Sequence, residues 1–290
     1  MRLSTKLSIL FLLLSVAPLG ILGYLAYSNG RGTIERETVD RLRSINILKE
    51  AQINRWIHDN TRTMEILAGG AYFREKFADE VAQHDQGHPS HPSIHREVSE
   101  QYPKPVMEQA GLIELFVLRA DDGLILVSTD ERQEGKYRES MPYFVNGRDR
   151  TYVQNVYYSM ALQQPAMTIG TPLRDGRGRL VGVLAGRVDL TDLSRIMEQT
   201  SGLSQTEKTY LVNTFNFFVT EPPAGKGFTL KKSVQTEGVQ AALSRRSGIG
   251  FYEDYRAVPV IGIYHWMEER ELCLITEMDQ SEALAPIHAF

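Results

Sequence analysis

From Leu7 to Tyr27 the chain reads LSILFLLLSVAPLGILGYLAY, 21 residues without a charge. About 20 apolar residues in a helix cross the hydrocarbon core of a bilayer, so this stretch predicts a chain that begins at a membrane. Arg2 and Lys6 precede it. Basic residues stay on the cytoplasmic side, which places the N-terminus inside and everything after Tyr27 outside, with Tyr24 and Tyr27 at the far interface. A cleaved signal peptide is the alternative. The apolar run exceeds the usual length of such a peptide, and no small-x-small cleavage site follows it. The expectation is an uncleaved anchor over 1–28.

After the anchor, Ile34, Leu42, Ile45, Leu48, Ile53, Trp56, Met64 and Leu67 recur at helical intervals among polar residues, with no proline before Pro89. This predicts a long amphipathic stalk over 29–80, some forty residues of which would extend roughly 60 Å. The pattern breaks at Gln83–Pro105, a Pro-, His- and Ser-rich connection. Strand signals follow at Ile113–Leu118, Leu124–Ser128, Thr151–Ser159, Ala166–Leu173 and Leu180–Leu190. The turns Asp121-Asp122-Gly123 and Asp175-Gly176-Arg177-Gly178 join strand pairs, because glycine accommodates the positive φ that tight hairpins need. A helix over Leu193–Gln199 closes this first module, expected to span 81–205. A second module over 206–282 has strands at Tyr210–Thr220, Gly250–Tyr255, Val258–Trp266 and Leu272–Met278, with a helix at Val234–Leu243. Residues 283–290 start another helix. The fold class is α/β in the α+β sense, with antiparallel sheets.

A hydrophobic content of 42% and a net charge of −4 suit packed cores and give no basic surface for nucleic acid. The single cysteine, Cys273, excludes an internal disulfide and sits in an apolar run as a core thiol. No nucleophile motif, phosphate-binding glycine loop or cofactor signature is present, so no catalytic site and no cofactor are expected; an unrecognised extracytoplasmic enzyme stays as an alternative. His84, His88, His91 and His95 are four of the seven histidines, and imidazoles at such spacing ligate zinc, nickel or copper. Pro89 and Pro92 prevent a helix from aligning them, so a flexible polar loop is the other reading. In the larger module Tyr137, Tyr143, Phe144, Tyr152, Tyr157 and Tyr158 gather aromatics suited to the wall of a small-molecule pocket. Strand alternation puts Tyr157 with Ser159 and Arg187 with Asp189.

The order of segments resembles the double Cache family, paired PAS-like modules on a long N-terminal helix. The residues that carry the resemblance are Pro142-Tyr143-Phe144-x-x-Gly147, Val156-Tyr157-Tyr158-Ser159, Pro165, Thr171-Pro172, Gly178-x-x-x-Gly182-Val183-Leu184 and Val188-Asp189-Leu190-x-x-Leu193 in the first module. In the second they are Tyr252-x-x-Tyr255-Arg256-x-Val258-Pro259-Val260 and Glu277-Met278-Asp279-x-x-Glu282-Ala283.

The resemblance implies an extracytoplasmic sensing module of a receptor in the bacterial inner membrane. Its exit helix would lead to a second span and a cytoplasmic output domain such as a histidine kinase or diguanylate cyclase, beyond a C-terminus at Ala285–Phe290 that reads as the edge of a fragment. It also implies a homodimer. Ligand-binding residues are expected among Tyr143, Phe144, Tyr152, Tyr157, Ser159, Arg187 and Asp189. Amino-acid-binding members place an Arg-x-Trp-Tyr segment where this chain has Met141–Phe144, and acidic residues where it has Ser159 and Arg187. That pattern is unmatched here. An arginine at 187 favours a carboxylate, and the Pro-Tyr-Phe segment is similar to dicarboxylate-sensing members, so a small organic acid is the expected ligand.

Overall fold

The computed structural model describes residues 3–71, 74–75, 81, 107, 111–202, 204–223 and 225–285. Helix α1 (Leu3–Gly69) is continuous over 67 residues with Pro18 inside it, a rod of roughly 100 Å at ~1.5 Å per residue. The backbone through Leu7–Tyr27 is therefore helical as expected. Among the described residues no helix is long and apolar enough to cross a membrane. The side chains at 7–10, 12–14 and 23–27 lie outside the description. The stalk runs without a break to Gly69, and most of 72–80 also lies outside the described residues.

The buried stripe of α1 comprises Leu42, Asn46, Lys49, Ile53, Ile57, Asn60, Met64 and Leu67, at the three- and four-residue steps of one helical face. Three of these side chains are polar because each reaches a carbonyl. Asn46 donates to the Leu274 carbonyl (3.4 Å) and Thr276 Oγ1 (3.1 Å), Lys49 to the Ile196 carbonyl and Asn60 to the Trp56 carbonyl (2.8 Å). The apolar residues Ile47 and Leu48 stay exposed instead.

The chain forms two compact units. The first comprises Lys49–Glu198 and Phe217–Ser233, the second Met1–Leu48, Gln199–Asn216 and Val234–Phe290. The first carries strands β1 (Leu112–Arg119), β2 (Ile125–Ser128), β3 (Tyr152–Ser159), β4 (Gln164–Arg174) and β5 (Leu180–Val188). They form one antiparallel sheet in the order β2-β1-β5-β4-β3. The β1–β2 turn has Gly123 at φ 69° and is braced by Asp122, which pairs with Arg119 at 2.6 Å and accepts from Leu124 N at 3.1 Å. Alternation sorts β1 onto two faces. Leu115 and Val117 pack with Met64 and Leu67 of α1; Phe116 and Leu118 pack with Tyr143 and Phe144 of the short helix α2 (Pro142–Val145). Helix α3 (Thr191–Glu198) follows β5.

The second unit has β6 (Lys208–Asn213), β7 (Gly248–Glu253), β8 (Pro259–Met267) and β9 (Leu272–Asp279) in the order β6-β9-β8-β7, with helix α4 (Glu237–Leu243). Strand β6 is shorter than the Tyr210–Thr220 run suggests. Asn213 accepts from Phe215 N at 3.0 Å and Asn216 adopts φ 63°, a side-chain-stabilised turn that ends the strand. Cys273 is fully buried in β9, and burial pushes its thiol up to about 12.

Strand β9 leads directly into α5 (Gln280–Ala283). Glu282 in α5 accepts from Ser204 Oγ, Gln205 N and Thr206 N, each at 2.8 Å. Partial burial works against its charge, but these bonds prevail and hold the carboxyl at about 2. Glu277, fully buried in β9, is the opposite case. Lys208 lies 2.8 Å from Asp254 and 3.1 Å from Asp279 but 3.9 Å from Glu277, so burial dominates and raises Glu277 to about 7 despite Lys208 and the Tyr210 hydroxyl at 2.8 Å. A carboxyl whose folded value exceeds its unfolded one binds its proton more tightly when folded. Its stabilising contribution is complete below about 4.5 and is lost as pH rises to about 7. Across that window Glu277 should remove on the order of 3 kcal/mol of stability. Thermal unfolding at a series of pH values checks this: Glu277→Gln should flatten the fall in midpoint, and an unchanged slope would reject the assignment.

Candidate functional site

On the face of the first sheet that carries Phe116 lies a cavity of about 340 Å³, lined by residues of the 137–143 loop and α2, the β3 end and turn, and Arg187 of β5. Its deep residues are Tyr143, 0% exposed, Ser159, 3%, and Arg187, 2%; its rim includes Tyr137, 54%, and Met160, 75%. Tyr143 is placed by the N-terminal proline of α2, whose fixed φ suits a first helical turn, and by two glycines. A Cβ at either Gly147 or Gly170 would collide with the Tyr143 carbonyl oxygen. Edge-on packing of Tyr143 against Phe116, centroids 5.8 Å apart, fixes the ring.

Arg187 does not present a free charge. Its Nη1 is ion-paired with Glu114 Oε2, the residue directly opposite it on β1, and its guanidinium carbon lies 4.9 Å from the centroid of Phe116. Glu114 in turn accepts from Ser128 Oγ at 2.9 Å. On its other side Arg187 is registered with Thr168 of β4, whose hydroxyl meets Tyr157 Oη at 2.8 Å. Burial lowers Arg187 to about 10, which still leaves it a cation at neutral pH. Arg138, at the cavity wall, bonds among the described residues to neutral oxygens: the Tyr137 carbonyl at 2.9 Å and Gln133 Oε1 at 3.2 Å.

Two deep polar atoms, Tyr143 Oη and Arg187 Nε, have no hydrogen-bond partner among the described residues. Burial raises the Tyr143 phenol well above its ordinary value, and the nearby Arg138 charge opposes this without forming a well-aligned hydrogen bond. The hydroxyl is thus a neutral donor and acceptor.

Of the seven residues expected to bind ligand, Tyr143, Tyr157, Ser159 and Arg187 line this cavity and Phe144, Tyr152 and Asp189 do not. Phe144 packs into the core with Phe116, Leu118 and Val183. Tyr152 begins β3, half-buried opposite Gly170. Asp189 lies beyond the end of β5, exposed, and accepts from Thr191 N at 2.9 Å and Oγ1 at 2.8 Å in the turn that leads into α3; it borders a different cavity of about 410 Å³. Its expected alternation with Arg187 therefore fails because the strand stops at Val188. Strand β3 also departs from alternation. Its register shifts between Gln154 and Tyr157, a bulge that re-aims the following side chains, so Tyr157, Tyr158 and Ser159 all border the cavity.

Two residues went unread. Glu114 is the lone acid inside the apolar strand LIELFVLR, and a buried charge calls for a partner; that signal pairs it with Arg187. Arg138 lies in a loop and carries no periodic signal. His84, His88, His91 and His95 lie outside the described residues, and among the described residues no group of three or more His, Cys, Asp or Glu is arranged to hold a metal ion.

An antiparallel sheet with a cavity against one face is the layout of a sensory ligand-binding domain of the signal-transduction class. The chain belongs to the Cache domain family, whose model matches residues 30–287. No curated protein matches the chain.

Solved structures share the fold at low sequence identity. The ligand-binding domain of the Pseudomonas aeruginosa amino acid chemoreceptor PctC in complex with GABA is 16% identical, covers 83% of this chain and 100% of its own, and superposes with a TM-score of 0.58. That of the Campylobacter jejuni chemoreceptor Tlp3 in complex with L-norvaline is 11% identical, with coverage of 87% and 94% and a TM-score of 0.61. The sensor domain of the V. cholerae histidine kinase DctB is 11% identical, with coverage of 82% and 98% and a TM-score of 0.55. Cache domains of this kind are extracytoplasmic sensing domains of membrane receptors rather than enzymes.

The seating of Tyr143 is directly testable. Gly170→Ala must push α2 outward, at a cost of about 1–3 kcal/mol for overpacking. The unfolding midpoint should fall and any ligand affinity with it, whereas a neutral outcome would mean that α2 is not held against β4.

Proposed function

We propose that this chain is the extracytoplasmic sensing portion of a bacterial inner-membrane receptor, with a sensor histidine kinase as its output, and that its first unit binds a small organic acid. Leu7–Tyr27 anchors the chain, with Arg2 and Lys6 holding the N-terminus in the cytoplasm. The receptor works as a homodimer, and the exit helix at Gln280–Ala283 leads toward the output. A ligand need only favour one of two receptor conformations; about 1.4 kcal/mol of differential affinity shifts their populations tenfold.

The observation that carries the ligand class is the charge of the cavity lining. Its lining holds two guanidinium groups and, among the described residues, no carboxylate; Glu114 behind the lining neutralises Arg187, so Arg138 supplies the positive charge. An anion gains charge-assisted hydrogen bonds there. A ligand ammonium group meets no counter-charge in the described lining.

A thermal-shift screen of the detergent-purified chain against organic acids, amino acids and divalent metals tests the reading. An organic acid at about 100 times its dissociation constant adds about 2.7 kcal/mol of stability. Arg138→Ala should abolish that gain while leaving the unliganded midpoint within about 0.5 kcal/mol of the parent. Stabilisation by amino acids in preference to acids, or by metals alone, would reject it.

A further inference from the structure

Resting on that reading, the pairing of Arg187 narrows the class of acid. Glu114 and Arg187 are 1% and 2% exposed and oppose each other across the β1–β5 ladder, so together they bring no net charge to the cavity floor. Arg138 is the lining cation whose hydrogen bonds among the described residues go to neutral oxygens. The site therefore offers one uncompensated positive charge. Beside it are two buried groups without a partner among the described residues, the Arg187 Nε donor and the Tyr143 hydroxyl.

We propose that the cavity selects a monocarboxylate bearing one uncharged oxygen, a hydroxyl or a carbonyl, over dicarboxylates and amino acids. The carboxylate pairs with Arg138, and the uncharged oxygen is met by Arg187 Nε and the Tyr143 hydroxyl. A second carboxylate would be buried against a pair that is already neutral, or would have to displace Glu114 from Arg187; leaving either charge buried and unpaired is strongly unfavourable. An ammonium group would be held beside Arg138 with no acid to balance it. Propionate, lactate, alanine and succinate vary one feature at a time, and the cavity of about 340 Å³ admits each of them.

Calorimetric titration of the detergent-purified chain with these four compounds decides the matter. Lactate should bind about tenfold more tightly than propionate, alanine or succinate, as expected for one buried hydrogen bond gained or one charge left unpaired. Tyr143→Phe removes a hydroxyl that has no well-aligned hydrogen-bond partner among the described residues, so the fold should be little affected. It should erase the preference of lactate over propionate and leave propionate affinity unchanged. Glu114→Gln frees Arg187 and should shift the succinate-to-lactate ratio about tenfold toward succinate. Succinate or alanine binding the parent chain more tightly than lactate overturns the proposal but leaves the cavity as the ligand site. So does a Tyr143→Phe chain that keeps its lactate preference. Absence of binding by all four, with no effect of Arg138→Ala on any small-molecule response, overturns the proposed function itself.

Discussion

The ion pair between Glu114 and Arg187 is the constraint around which the first unit is organised. Both side chains are buried in the interior of the sheet, and neither charge is tolerable there alone. Removing one partner of a buried pair leaves an uncompensated charge worth several kcal/mol. The pair sits at the centre of a polar row across the sheet, from Ser128 on β2 through Glu114 on β1 and Arg187 on β5 to Thr168 on β4 and the Tyr157 hydroxyl from β3. Slipping any of these strands by one residue would send its member of the row to the opposite face. The ion pair thus ties β1 to β5 in register and sets the electrostatics of the cavity floor.

This row also explains why a site can be built here at low structural risk. Tyr143 is seated by backbone contacts with Gly147 and Gly170 and by ring packing on Phe116, so its hydroxyl is not needed to hold the fold. Arg138 lies in a loop, its guanidinium oriented by the Tyr137 carbonyl and Gln133 Oε1. The groups that would recognise a ligand are therefore supported by others, the arrangement that keeps a site preorganised. In the second unit the same logic serves α5. Lys208 is shared among Asp254, Asp279 and Glu277, and Glu282 grips the residues just before β6.

Much of this was legible in the sequence, and what was not has identifiable causes. The Asp-Gly turns marked two hairpins because turn chemistry is local, and the Tyr137, Tyr143, Tyr157 and Tyr158 group marked the cavity because large amphipathic rings had few other uses at that density. The seam of α1 was only half legible. Asn46, Lys49 and Asn60 occupy buried positions through hydrogen bonds to distant or local carbonyls that periodicity cannot register. Asp189 was misplaced by extending strand alternation one residue past Val188. The charge of Arg187 was taken as free for a ligand; the partner that neutralises it is 73 residues away. Loop residue Arg138 became visible only when the chain was folded.

A crystal structure of the domain with lactate bound measures directly which guanidinium carries the ligand's charge. The lactate carboxylate should lie on Arg138, its hydroxyl within hydrogen-bond distance of Tyr143 Oη and Arg187 Nε, with Glu114 still paired with Arg187. A carboxylate seated on the Nη atoms of Arg187 with Glu114 turned away would contradict that assignment.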